Sequence, residues 1–199
     1  MEQIRMQREI LDKDIMSMSD YSAIRREHAT KLADEKKNRR VEIGPACTFY
    51  FESYDTMWFQ VHEMLYIEKG GEEQVPGELQ AYNPLIPKGQ ELVATVMIEV
   101  GDPDRRAALL AKLGGFEETI TMSVDGDIIR GVAEEDVDRT TADGKASSVQ
   151  FLRFPFTDTQ IADFKDQEKD VILSIGHIDY HHMAGVPYDV RMALAADFD

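Results

Sequence analysis

Two runs of alternating side chains, Glu118 to Val124 and Asp127 to Ala133, meet at the dipeptide Asp125-Gly126. An Asp-Gly link between alternating runs is a strong hairpin signal, because the tight turn needs positive φ at the linking residues. Antiparallel pairing is therefore written into the middle of the chain. Other strand-like segments are Val41 to Phe51, broken at Gly44-Pro45, then Glu91 to Val100, Val149 to Phe156 and Val171 to Gly176. Beyond the break, Cys47, Phe49 and Phe51 alternate with Thr48, Tyr50 and Glu52, the period of a half-buried strand.

Helices are interspersed. Ser19-Asp20 reads as the cap of a helix over Tyr21 to Arg39. Ahead of it, Ile4, Ile10, Leu11 and Ile15 suggest a further helical stretch. A second helix runs from about Asp55 to Lys69 and stops at Gly70-Gly71, with Met57, Trp58, Val61, Met64 and Leu65 on its buried face. A short helix over Gly77 to Tyr82 ends at Asn83-Pro84. Asp102-Pro103 opens another helix and Gly114-Gly115 follows its end. Thr157 and Gln160 are spaced as a capping box, with Phe156 and Ile161 as the hydrophobic staple. Tyr188 to Phe198 reads as a last helix, and Glu134 to Ser147 as a polar loop. The expectation is one α+β domain over residues 1–199. A helical N-terminal segment, 1–40, precedes a body, 41–199, in which helices pack on one mostly antiparallel sheet.

Charge narrows the class of partners. Of 22 Lys and Arg and 38 Asp and Glu, residues 1–40 hold ten and eight, leaving 12 against 30 in the body. So acidic a body repels nucleic acid and anionic membranes. The basic run Lys36-Lys37-Asn38-Arg39-Arg40 is a candidate anion or RNA site, but reads first as a solvated helix end whose cations suit the helix dipole. The lone Cys47 cannot form an internal disulfide and takes a core place on its strand, which fits a reducing compartment. Met1 to Glu9 lacks the apolar core of a secretory signal. A cytoplasmic location is the expectation.

Signatures of phosphate loops, dinucleotide sites, nucleophile elbows and HExxH zinc sites are absent. Candidate chemistry rests on polar side chains that capping does not require. Asp55 is accounted for as a cap. Thr56, Gln60 and Glu63 share one stripe of the 55–69 helix, and Glu52 leaves its strand beside the start of that helix. Glu68 falls within the apolar face, as a frayed end or a functional carboxylate. Tyr82 and Asn83 precede the turn Pro84-Leu85-Ile86-Pro87, which is either a rigid terminator or a docking loop. The candidate pocket is Glu52, Gln60, Glu63 and Asn83, with Tyr82 at its rim. Three of the five histidines lie within 177–182. If the strand continued, His177, Asp179 and His181 would share a side. A metal ion, iron or zinc, would then recruit His177 or His181 to Glu52 and Glu63.

Several strings carry a resemblance. They are Asp14-Ile15-Met16-Ser17-Met18 with Tyr21 and Arg25; Arg39-Arg40-Val41 with Gly44-Pro45; Phe51-Glu52, Asp55-Thr56, Gln60 and Glu63-Met64-Leu65; and Glu78-Leu79 with Ala81-Tyr82-Asn83-Pro84-Leu85-Ile86-Pro87. Ala94-Thr95, Ile98-Glu99 and Val149 with Phe151-Leu152-Arg153-Phe154 continue it. The chain resembles a bacterial family known as domain of unknown function 3501, best over Asp14 to Phe156. His181-His182 has no counterpart in that pattern. The resemblance implies no established activity. It implies company with rubrerythrin-like and iron–sulfur oxidoreductase-like proteins. The functional expectation is a non-catalytic accessory or binding protein of such a redox system. The alternative is a metal-dependent enzyme using the Glu52, Glu63 and histidine groups. A protein partner is expected, and a homo-oligomer is left open.

Overall fold

The computed structural model describes residues 7–134 and 145–199. Most of the predicted 134–147 loop, and Ile4 of the predicted first helical stretch, lie outside the described residues. The fold is α+β. The first helix, α1 (Met18–Lys37), is capped by Ser17, whose side chain accepts from the Asp20 amide. The cap is thus two residues earlier than the sequence suggests. Lys36 and Lys37 are exposed in its last turn, whereas Arg39 turns inward to Asp197. Among the described residues, the chain ahead of α1, from 7 to 17, is not a second helix. It is a strap with one 3-10 turn at Asp12–Asp14.

The strands form two antiparallel sheets rather than one. In the five-stranded sheet, β1 (Arg40–Ile43), β2 (Cys47–Phe51), β3 (Glu91–Ile98), β7 (Val149–Pro155) and β6 (Val132–Ala133) are neighbours in that order. In the four-stranded sheet the order is β5 (Asp127–Arg130), β4 (Ile120–Val124), β8 (Val171–His177) and β9 (Tyr180–Gly185). The predicted hairpin exists, with Val124 paired to Asp127. Its second arm changes sheets at Gly131, so the run 127–133 serves both. Glycine is needed there. A Cβ would lie 2.8 Å from a Leu152 methyl and 3.2 Å from the Ile120 carbonyl, to which the Gly131 amide already donates. One contiguous core joins the two sheets. Phe49, Val96 and Leu152 come from the first sheet and Met122, Leu173 and Ile175 from the second. The helices α4 (Pro103–Leu110), α5 (Asp158–Lys165) and α6 (Tyr188–Ala195) add Leu110, Phe164 and Leu194 to it.

A second cluster lies on the opposite face of the five-stranded sheet. There α2 (Tyr54–Glu68) sets Met57, Val61 and Leu65 against Val93 of β3, with Ile10 of the strap and Leu85 and Ile86 completing the layer. Met64, predicted for this face, is half-buried beside it, and Trp58 is half-buried rather than enclosed. Glu68 is exposed and accepts from Gln74, so it reaches water at the helix end. Leu85 and Ile86 are 4% and 1% exposed. The Pro-bounded turn after α3 (Val75–Tyr82) therefore fills the core and is not a docking loop.

Candidate functional site

The strap is held from three sides by the side chains of Asn83, Trp58 and His62. Asn83 makes a two-way pair with Ile10: its Oδ1 accepts from the Ile10 amide at 2.8 Å and its Nδ2 donates to the Ile10 carbonyl at 2.9 Å. The Trp58 indole donates to the Asp14 carbonyl at 2.9 Å. His62 Nε2 accepts from the Met16 amide at 3.0 Å, and Nδ1 stands 2.8 Å from the Trp58 carbonyl. An acceptor Nε2 and a donor Nδ1 fix the neutral tautomer. Burial pushes the His62 pKa down; the Trp58 carbonyl opposes this, and nearby His28 adds to it. Trp58 and His62 rings lie 3.8 Å apart and the Tyr21 ring 4.9 Å from His62, so α1 and α2 meet through aromatic contacts.

Glu63 faces α1. Arg25 grips its two oxygens at 2.7 Å each, and the Tyr21 hydroxyl donates at 2.5 Å. The guanidinium is the main reason the Glu63 carboxyl sits below its ordinary range; the Tyr21 bond lowers it further and partial burial opposes both. Glu52 lies elsewhere, 6% exposed at the end of β2. Thr56 and Thr95 hydroxyls donate to its two oxygens at 2.6 Å each. Thr56 also closes the α2 capping box with Ser53. Ser53, not Asp55, is the cap, and Thr56 is explained by capping after all. Arg39 donates to the Glu52 carbonyl at 2.8 Å and pairs with Asp197 at 2.5 Å. Burial nevertheless raises the Asp197 carboxyl above its ordinary range. Gln60 and Tyr82 do meet, at 3.4 Å.

The predicted pocket is thus divided. Gln60 and Tyr82 come together, while Glu52, Glu63 and Asn83 serve β3, α1 and the strap in turn. The histidines are divided as well. The chain turns back at Ile178-Asp179, pairing His177 with Tyr180 and Gly176 with His181. His177 and His181 consequently point to opposite faces of the four-stranded sheet, because side chains alternate along a strand. Among the described residues, no group of three or more His, Cys, Asp or Glu side chains is placed to hold a metal ion. Neither His177 nor His181 stands with Glu52 and Glu63 in such a group. Cys47 is buried, and burial with Glu99 nearby pushes its thiol up to about 12. It is a core side chain and not a thiolate nucleophile.

What the strap creates is a cleft. Between it, the end of α2 and the start of α3 lies a hollow of about 650 Å³, walled by Ile15, Met16, Met18, Leu65, Val75 and Pro76, with Asp12 and Glu72 among its lining. Flexible methionine side chains on an apolar wall adapt to differently shaped apolar partners.

These features define a two-sheet α+β protein with a strap-walled apolar cleft. The chain belongs to the family described as protein of unknown function (DUF3501), which matches residues 9–198. A crystal structure of a protein of unknown function from Burkholderia pseudomallei is similar, at 34% identity with a TM-score of 0.88, over 96% of this chain and 99% of that one. No curated protein is significantly similar.

Proposed function

We propose that this chain is a cytoplasmic, non-catalytic accessory protein that binds another protein, with the strap-walled cleft as its docking site. The cleft carries the reading. It offers open apolar surface beside the carboxylates of Asp12 and Glu72. A cleft of this size and lining receives a few apolar side chains well. No helix among the described residues is long and apolar enough to cross a membrane, which suits a partner met in solution. The family resemblance suggests a rubrerythrin-like or iron–sulfur protein as that partner. The test is calorimetric titration of the chain with the rubrerythrin-like and iron–sulfur proteins of its own organism. Saturable binding that Val75→Asp removes supports the reading, and absence of binding to any of them opposes it.

A further inference from the structure

The strap-walled cleft differs from the other hollows in its charge. Its lining holds the carboxylates of Asp12 and Glu72 and no Lys or Arg. Three other hollows carry cations: Lys88 with Lys165 in one, Lys88 in another, and Lys169 with Arg191 in a third. Asp12 and Glu72 are both exposed, and among the described residues no hydrogen bond or ion pair engages either carboxylate. Asp12 belongs to the strap and Glu72 to the turn before α3, so both walls of the cleft supply one. The backbone narrows what can lie there. In the strap, the amides of Ile10, Leu11, Asp14, Ile15 and Met16 all donate within the chain. The carbonyls of Ile10, Leu11, Asp12 and Asp14 all accept within it. Across the cleft, the Leu65 carbonyl accepts from the Lys69 amide and the Gly71 carbonyl from the Gln74 amide. No strand contributes to the lining, so the cleft has no sheet edge. An extended peptide seated here would bury its own amides and carbonyls unpaired, at about 1–3 kcal/mol each. A helix keeps its backbone bonded within itself and needs side-chain contact alone.

We infer that the occupant of the cleft is an amphipathic helix of the partner protein, with Lys or Arg flanking its apolar stripe. The inference rests on the cleft being a docking site and names what docks there. Apolar side chains three and four residues apart line one face of such a helix. That stripe meets the wall of Ile15, Met16 and Leu65, where the flexible methionines repack around it. Cations on either side of the stripe meet Asp12 on one wall and Glu72 on the other. A net charge of −16 draws a basic segment toward the chain from any direction. The apolar wall between two uncommitted carboxylates determines where it settles. A helix flanked by Asp or Glu meets like charge at both walls and is turned away.

Fluorescence anisotropy of the whole chain with three labelled model peptides tests it. The first is an amphipathic helix of about 18 residues, long enough to hold its helix in water, with Leu along one stripe and Lys elsewhere. The second has Glu in place of Lys, and the third keeps Lys but carries a central proline that breaks the helix. The basic helix should bind saturably, at least about tenfold more tightly than either of the others, and more weakly as salt is added. Val75→Asp separates docking from general attraction. It adds a carboxylate, so attraction to an acidic surface would strengthen binding, whereas docking on the apolar wall should weaken about tenfold. Glu72→Lys, at an exposed position, is the second variant and should narrow the preference for the basic over the acidic helix. No binding of the basic helix overturns the inference. So does equal binding of any two of the peptides that include it, or basic binding that Val75→Asp strengthens. In those cases the docking site itself still stands if a partner protein binds the parent and not Val75→Asp. Conversely, failure of the protein titrations with the basic helix bound removes the redox partner and leaves the helix.

Discussion

The imidazole of His62 is the acceptor for the backbone amide of Met16, at 3.0 Å, and so ties the interior of α2 to the wall of the cleft. Protonation would turn that acceptor into a second donor and break the tie. The folded-state pKa is lowered, mainly by burial. The unfolded chain, with an ordinary value near ~6.5, therefore takes up a proton before the folded chain does. Stability is full above about 6.5 and is lost as pH falls from there through the folded value. Glu63, held below the ordinary carboxylate range, stays ionised throughout this window. Thermal melts between pH 7.5 and 5.5 (roughly one unit either side of that value) should show a declining midpoint. His62→Leu should melt lower at neutral pH but show a flatter profile.

Asn83 serves the strap rather than a substrate. Asn83→Ala would leave the Ile10 amide and carbonyl without their side-chain partner, while Ile10 itself is 1% exposed. The expected cost is about 1–3 kcal/mol. Amide exchange checks it: protection at residues 10–16 should fall while β3 and β7 keep theirs.

Tyr180 locks the β1–β2 turn onto the second sheet. Its hydroxyl donates to the Ile43 carbonyl at 2.7 Å and accepts from the Ala46 amide at 2.9 Å. Gly44 lies between them at φ 65°, where a Cβ would come 2.6 Å from the His182 ring. Tyr180→Phe should destabilise by about 1–3 kcal/mol through two unpaired buried backbone groups. Gly44→Ala should also destabilise, through the added positive-φ strain and the ring contact. Denaturant midpoints for the two variants provide the check.

Metal content separates an accessory protein from the enzyme alternative. Elemental analysis of tag-free protein should give well under one iron or zinc per chain. A stoichiometric metal would revive the enzyme reading and locate its ligands in an arrangement other than the one drawn from Glu52, Glu63, His177 and His181.

Local signals in the sequence were reliable where the structure is local. The Asp125-Gly126 turn, the Thr157–Gln160 capping box and the Asp102-Pro103 helix start all stand where the residues place them. The division into two sheets was not legible. It depends on the Gly131 backbone fitting against Leu152, a contact with no periodic trace. The strap escaped for the same reason. Asn83 and Ile10 are 73 residues apart, and a reciprocal side-chain-to-backbone pair leaves no spacing to read. The polar stripe of Gln60 and Glu63 was correctly separated from the apolar face, but which element each would meet depended on where α1 came to rest. The histidine cluster misled because a tight turn, not a continued strand, follows His177.

If the cleft walled by Ile15, Met16 and Val75 docks a redox protein, as proposed, a charge at Val75 should remove the complex. The most direct measurement is a binding isotherm with the rubrerythrin-like protein of the same organism, or its iron–sulfur counterpart, for the parent chain and for Val75→Asp. Saturable binding is expected of the parent, with a loss of about tenfold or more in a Val75→Asp variant that melts like the parent. Equal binding by both chains, or no binding by either to both candidates, would contradict it.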